Sequence, residues 1–391
     1  MINVEDALKI LSETELLLSP VKLTVRNALG HVLAIDVCSP IDMPSFNQSA
    51  MDGYAFNFEE DRNSYQVIGE VAAGSPDNPK LKVGEGVRIF TGGMVPDDAN
   101  IVVQQEWILR EADMATITED VKIGRNIRLK GEQIKSGDVA LEKGTKITPA
   151  GIGFLTGLGI ESIEVFAKST IAIITTGNEL VKVGEKLLAG QIYESNSDML
   201  AAVLEEHNFT NYSIETVEDN YLATKNRIQN SIENSDVVIL TGGISVGDYD
   251  FVGKALDELE VKELFYKINQ KPGKPIYIGK KGKTLIAALP GNPAAALTCF
   301  YIYVLPALNK MMGKDFKGLE KSQIKMGENY VKKGSRAEFL KAKIVGNRAF
   351  VLGMQSSAML RSFAVSEALV YLPSTIEQVN ENELVLAYKL V

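Results

Sequence analysis

The chain has 391 residues, 45% of them hydrophobic and 23% charged, with a formal net charge of −9. That is the make-up of a globular protein of two to four domains, and its acidity argues against a general nucleic-acid binder. Only two cysteines (Cys38, Cys299) and two histidines (His31, His207) are present, which excludes a disulfide framework and leaves almost nothing for a histidine metal centre or a Ser-His-Asp triad.

The start, MINVEDALKI, is acidic and lacks the basic stretch of a secretory leader. Val4, Ala7, Leu8 and Leu11 recur at helical spacing, with Asn3 placed to cap. From about 41 to 130 the texture changes to short β-type runs such as YQVIGEV, GVRIFTGG, NIVVQQEWIL and MATITEDV, separated by Gly, Pro and Asp turns. Within it, MPSFNQSAMDGYAF (Met43–Phe56) reads as a loop that carries a single carboxylate, Asp52, among aromatic neighbours. Helical character returns at TPAGIGFLTGLGI, with Pro149 suited to a first turn.

From 169 to about 310 strands and helices alternate, which implies a mostly parallel sheet covered on both faces. The apolar stretch AAALTCFYIYVLPAL holds Pro306 and falls short of the ~20 residues a spanning helix needs, so it reads as a buried helix. The last part, 318–391, is again short β-type runs and reads as a small barrel or sandwich. The fold class is therefore multidomain, α/β plus β. Both cysteines sit among apolar neighbours and read as buried thiols of a reducing compartment; the expected location is cytoplasmic, with no membrane partner.

In parallel sheets ligands bind beyond the carboxyl ends of the strands. Those ends carry TTGNEL (Thr176, Gly177, Glu179), VEDN (Asp219), TGGISVGDYD (Gly242, Gly243, Ser245, Asp248, Asp250), KINQKPGKP (Lys267, Lys271, Lys274) and LPGNP (Pro290, Gly291, Asn292, Pro293). Gly242 and Gly243 are either an anion-binding loop or a tight strand-to-helix turn. LPGNP opens a helix, where Asn292 suits a cap and the N–H groups suit a phosphate. Between 262 and 283 stand seven lysines (Lys262, Lys267, Lys271, Lys274, Lys280, Lys281, Lys283) and one acid, Glu263. Such a patch attracts an anion. The last three lysines fit a solvated hairpin equally well, whereas Pro and Gly fix the backbone around Lys271 and Lys274. Glu179, Asp219 and Asp250 on three different strand ends suit magnesium beside a phosphate; Asp248 suits a turn or cap.

Together, PSFNQSAMDGYAF, IFTGGMVPDDANIVVQQE, IITTGNEL, TGGISVGDYDF, KPGKP and LPGNPAAAL resemble, in order and over essentially the whole chain, the MoeA family of molybdopterin molybdenumtransferases, which are related to the C-terminal domain of gephyrin. The resemblance implies four domains: a helical linker domain from 1–40 with 131–168, a β-rich inserted domain at 41–130, an α/β molybdopterin-binding domain at 169–312, and a C-terminal β-barrel at 318–391. It implies a homodimer whose active site is shared between subunits, and magnesium-dependent insertion of molybdate into adenylylated molybdopterin with release of AMP. The adenylyltransferase that supplies this substrate is the implied partner.

Carried over by motif, the implied catalytic residues are Asp52, Thr91, Lys271 and Lys274. The implied substrate-binding residues are Gly242, Gly243, Ser245, Lys267, Pro290, Gly291, Asn292 and Pro293, joined by Arg336, Ser356 and Ser357 of the C-terminal domain. The implied magnesium ligands are Glu179, Asp219 and Asp250. Asn178 stands where many members carry Asp, and TGG replaces the commoner TGA. Two other readings compete with this one: an adenylyltransferase built on the α/β domain alone, which the match over the other modules disfavours, and a peptide-binding scaffold, which the acidic and lysine clusters disfavour.

Overall fold

The computed structural model describes residues 1–218, 220–244 and 251–390. The chain forms two compact units, Met1–Val21 with Val165–Val391, and Lys22–Glu164.

The first unit contains a six-stranded sheet. Its elements in chain order are β1 (Ile171–Thr176), α1 (Asn196–Glu206), β2 (Tyr212–Val217), α2 (Tyr221–Asn234), β3 (Val237–Thr241), α3 (Phe251–Glu258), β4 (Lys262–Tyr266), β5 (Tyr277–Lys281) and β6 (Thr284–Leu289). The strand order is β2-β1-β3-β6-β5-β4. Neighbours among β2, β1, β3 and β6 run parallel, and β5 is antiparallel to both β6 and β4. Every residue of β1, β3 and β6 is buried.

Successive residues of a strand face opposite sides, and both sides of this sheet are covered, so a strand such as VVILT is apolar up to its last residue. Ile173, Ile239 and Ala287 face one core with Leu200 and Leu204, while Ile174, Leu240 and Ala288 face another with Ile228 and Leu256. Adjacency of β1, β3 and β6 in the sheet order brings their carboxyl ends, and hence Gly177, Gly242 and Gly291, side by side.

A long apolar helix, Pro293–Met311, follows β6; among the described residues it alone is long and apolar enough to cross a membrane, yet 83% of its apolar window is buried inside the protein. Its middle, Phe300–Val304, is π-helical. That widening ends just before Pro306, whose ring cannot accept the regular turn behind it. The N-terminal helix, Val4–Glu13, docks Val4, Ala7 and Leu11 on the same core. Asn3 makes no side-chain cap there; its carbonyl accepts from Ala7 N–H at 3.1 Å.

The C-terminal strands Lys321–Met326, Ala337–Val345, Arg348–Val351, Ala368–Leu372 and Leu384–Lys389 close into a five-stranded barrel, because Ala337–Val345 also pairs with Ala368–Leu372. A short strand from the α/β part, Gln270–Lys271, adds in parallel to its rim, with Gln270 opposite Ala337 and Lys271 opposite Glu338.

In the second unit, Ile101–Gln104, Gly53–Phe56, Glu85–Ile89, Ser64–Val71, Met114–Ile117 and Ile108–Glu111 form a sheet in that order. Phe56, Tyr65 and Ile101 are fully buried at its core. Pro149 opens the helix Pro149–Gly157, and the Thr148 hydroxyl caps it by accepting from Gly151 N–H. Cys299 is buried as expected, but Cys38 is exposed. It lies on a two-residue strand, Val37–Cys38, paired only with Val139–Leu141, which leaves its side chain uncovered.

Candidate active site

The KPGKP turn hangs from a buried strut. Gln270 is fully buried. Its Nε2 donates to the Pro272 carbonyl at 2.9 Å, and its Oε1 accepts from the Tyr303 hydroxyl of the long helix. Gly273 has φ +92°, and a Cβ there would lie 2.4 Å from Cys299 Sγ. Backbone approach this close admits only glycine. Burial pushes the Cys299 thiol well above its ordinary value, so it stays neutral packing.

Lys271 leaves this turn to donate to Glu338 Oε1 at 3.2 Å, and Tyr330 donates to Glu338 Oε2 at 2.8 Å. The Glu338 side chain is only 2% exposed, against 37% for Lys271. Arg336 donates to the Gln270 carbonyl at 3.3 Å. These groups border a cavity of about 850 Å³, whose lining among the described residues includes Lys271, Lys274, Lys333 and Arg336 and one carboxylate, Glu328.

The opposite wall is the loop after strand Arg348–Val351, with Gln355, Ser356 and Ser357. Ser357 ties it to the long helix: its Oγ accepts from Asn292 Nδ2 at 3.0 Å and its carbonyl from Ala295 N–H at 3.2 Å. Asn292 therefore does not cap its own helix with its side chain.

A second cavity, about 690 Å³, opens over the carboxyl ends of β1, β3 and β6 and shares Pro275, Pro290 and Asn292 with the first. Gly242 (φ +89°) and Gly243 turn the chain there; a Cβ on Gly242 would lie 2.5 Å from the Thr176 carbonyl. Asn196 Nδ2 bridges the Thr241 hydroxyl and the Gly291 carbonyl, each at 2.8 Å. Of the two lining carboxylates among the described residues, Glu194 is committed to the start of α1, accepting from Asn196 N–H and from the Ser197 backbone and hydroxyl. Glu179 enters no side-chain bond among the described residues and lines the cavity.

In the second unit, Thr91 donates to Asp52 Oδ1 twice, from its backbone N–H at 2.7 Å and its hydroxyl at 2.8 Å. These two bonds, helped by the Arg88 charge, hold the Asp52 carboxyl below its ordinary range. Arg88 lies 4.9 Å from the Tyr54 ring centroid and 5.3 Å from that of Phe90, and donates to Gln105 Oε1. The aromatic surroundings of the Asp52 loop thus serve to seat an arginine.

Three regions match known families: residues 2–159 the MoeA N-terminal region (domain I and II), 172–310 a probable molybdopterin-binding domain, and 323–390 the MoeA C-terminal region (domain IV). A molybdopterin molybdenumtransferase of Staphylococcus epidermidis is 30% identical over 95% of this chain and 91% of its own length. One from Haemophilus influenzae is 37% identical over 75% of this chain and 73% of its own. The chain belongs to the MoeA family. The crystal structure of a MoeA protein from Pyrococcus horikoshii superposes with a TM-score of 0.85 at 30% identity, covering 100% of this chain and 99% of that one. Membership makes the chain an enzyme, a molybdopterin molybdenumtransferase of molybdenum cofactor biosynthesis.

Of the residues that the MoeA motifs single out, Lys271, Lys274, Pro290, Asn292, Arg336, Ser356 and Ser357 meet around the first cavity. Glu179, Gly242, Gly243, Gly291 and Pro293 meet around the second with Pro290 and Asn292. Lys267 lines neither; it has φ +60°, and its ammonium sits 4.4 Å from the Tyr266 ring centroid. Asp52 and Thr91 pair with each other in the second unit. Asp219, Ser245, Asp248 and Asp250 lie outside the described residues. Lys280, Lys281 and Lys283 sit on the β5–β6 hairpin and reach the Glu15 carbonyl, the Leu259 carbonyl and the Ser19 hydroxyl. Sequence reasoning missed Glu338, Tyr330, Lys333 and Asn196; for Glu338 the available signal was an acid one residue past Ala337 in a run otherwise fit for burial.

Proposed function

We propose that this enzyme inserts molybdate into adenylylated molybdopterin and releases AMP, with magnesium at the phosphates. The observation that carries the reading is the pair of adjoining cavities with a shared wall, one rich in cations, the other made of glycine turns and a helix start beside a carboxylate. Both substrates are anions, so bringing them together requires fixed positive groups and backbone N–H donors. Lys271, Lys274, Arg336 and the Ser356–Ser357 segment take the molybdate. The N–H groups of the Gly242–Gly243 turn, together with Ser245, and those of Gly291 and Asn292 just ahead of the helix take the phosphates of the adenylylated pterin.

Glu179, with Asp219 and Asp250, would hold magnesium, which when bound supplies charge neutralisation at the phosphate oxygens. The hard oxygen of Glu179, uncommitted among the described residues, fits such an ion. Release of AMP consumes one water, which breaks the phosphate–phosphate link; molybdate sheds oxygen as water as its bonds to sulfur form. Asp52, held charged by Thr91, orients water or receives a proton in that exchange. In this reading the enzyme is a cytoplasmic homodimer with the Asp52 loop of one subunit serving the other, and takes its substrate from the adenylyltransferase that makes it.

The test mixes purified protein with adenylylated molybdopterin, molybdate and magnesium. AMP is expected only when all three are present; AMP formed without molybdate rejects the coupling.

A further inference from the structure

The strand Ala337–Val345 carries a buried cation that the proposed chemistry leaves unused. Lys341 is 2% exposed. Alternation along the strand sends Leu340 and Ala342 into the barrel core and Phe339 to the core shared with the long helix, so Lys341 leaves the barrel on the Phe339 side. Its ammonium donates to three backbone carbonyls: Met354 at 2.9 Å, Met359 at 3.0 Å and Ser356 at 3.4 Å. All three belong to the loop that walls the first cavity. No carboxylate pairs with it among the described residues.

A buried ammonium without a counter-ion is expensive and persists only where its hydrogen bonds organise something. Here each of its three protons meets a carbonyl, which is the full donor capacity of a lysine. The loop it gathers is irregular, with Met354 at φ +56°. Gln355 seals the same junction, accepting from Lys341 N–H at 3.0 Å and donating to the Lys341 and Leu352 carbonyls.

We propose that Lys341 is a positioning residue for the oxyanion cavity: its ammonium clamps the 354–359 loop so that Ser356 and Ser357 are presented to molybdate, and its buried charge adds to the attraction for the dianion. This rests on the reading of the first cavity as the molybdate site. Burial lowers the Lys341 pKa to about 8, so the charged form still prevails at neutral pH.

The experiment uses the full chain, with molybdate itself as probe of the first cavity and AMP as probe of the second, both by titration calorimetry. K341M is expected to bind molybdate about tenfold more weakly, the loss of roughly one charge-assisted hydrogen bond, with AMP affinity unchanged. Amide exchange should accelerate in 352–359 and not in β1, β3 or β6. K341R should recover most of the affinity. Wild-type molybdate affinity in folded K341M overturns the proposal, as does an equal loss for molybdate and AMP, which would mark a merely structural lysine. If K341M does not fold, K341Q is read by the same criteria. Lys274→Ala is the control: if it leaves molybdate affinity intact, the first cavity is not the anion site and the clamp falls with that reading. If it weakens binding while K341M does not, only the clamp is wrong.

Discussion

Lys271 meets Glu338 because the two residues stand opposite each other in a parallel ladder that joins the α/β sheet to the barrel rim. The carboxylate is buried and both its oxygens are occupied, one by Lys271 and one by Tyr330. Glu338 is thus no metal ligand; it fixes where the Lys271 ammonium sits. E338Q keeps the shape and removes the charge. The expected result is a rise of about tenfold in the KM for molybdate, with kcat changed less, because the lysine loses its anchor. Since Lys271 is partly exposed, the accompanying loss of stability is only about 1–2 kcal/mol, read from the shift in denaturant midpoint. An unaltered KM in a variant of normal stability would show that Lys271 is not held for molybdate.

For Asp52 the sign of its shift matters. Thr91 hydrogen bonds lower the folded-state pKa, so the stability they lend is present above the unfolded value and is lost only as pH falls through the depressed one. Between about pH 5 and 9, well above the ordinary carboxylate range near 4, Asp52 contributes no acid limb to the rate profile. A depressed pKa also makes a weak base, which favours ordering water over taking a proton. D52A is expected to abolish AMP release while adenylylated pterin still binds, and T91A, which keeps the backbone bond, to lose about tenfold. Normal turnover by D52A rejects the role.

The legible parts of this fold are those where neighbours in sequence decide the outcome. IAIITT, DVVILT and TLIAALP are apolar on both faces, and only a sheet covered on both sides accommodates that. Glycine turns at Gly242 and Gly291 lie at strand ends in the sequence and at the sheet edge in the structure. What stayed hidden depends on partners far along the chain. A lysine in AEFLKAKIV reads as the wet position of a strand, yet Lys341 is covered by a loop folded back over it. Asn292 looks like a helix cap, but Ser357 arrives from the barrel and takes its amide. Cys38 has apolar neighbours in sequence and is still exposed.

Gly242 offers a test that separates the two cavities. Its φ of +89° disfavours any side chain, and a Cβ would press within 2.5 Å of the Thr176 carbonyl. G242A must move backbone at the junction of β1 and β3, at a cost of roughly 1–3 kcal/mol. The first cavity does not include this residue. AMP affinity is therefore expected to fall at least tenfold by calorimetry while molybdate affinity stays within about twofold. Equal losses for both ligands would show that the cavities do not work as separate anion sites.

Glu179 tests the proposed place of magnesium. Among the described residues its carboxylate is the one in the second cavity not committed to a helix start. E179Q keeps an oxygen donor but removes a charge from the proposed magnesium site, where charge count would set affinity. The magnesium concentration for half-maximal AMP release should rise by about tenfold, with saturating magnesium restoring most of the rate. Chelation should stop the wild-type reaction and added magnesium restore it. Were E179Q to lower the maximal rate and leave the magnesium requirement where it was, Glu179 would be acting on the substrate and not on the ion.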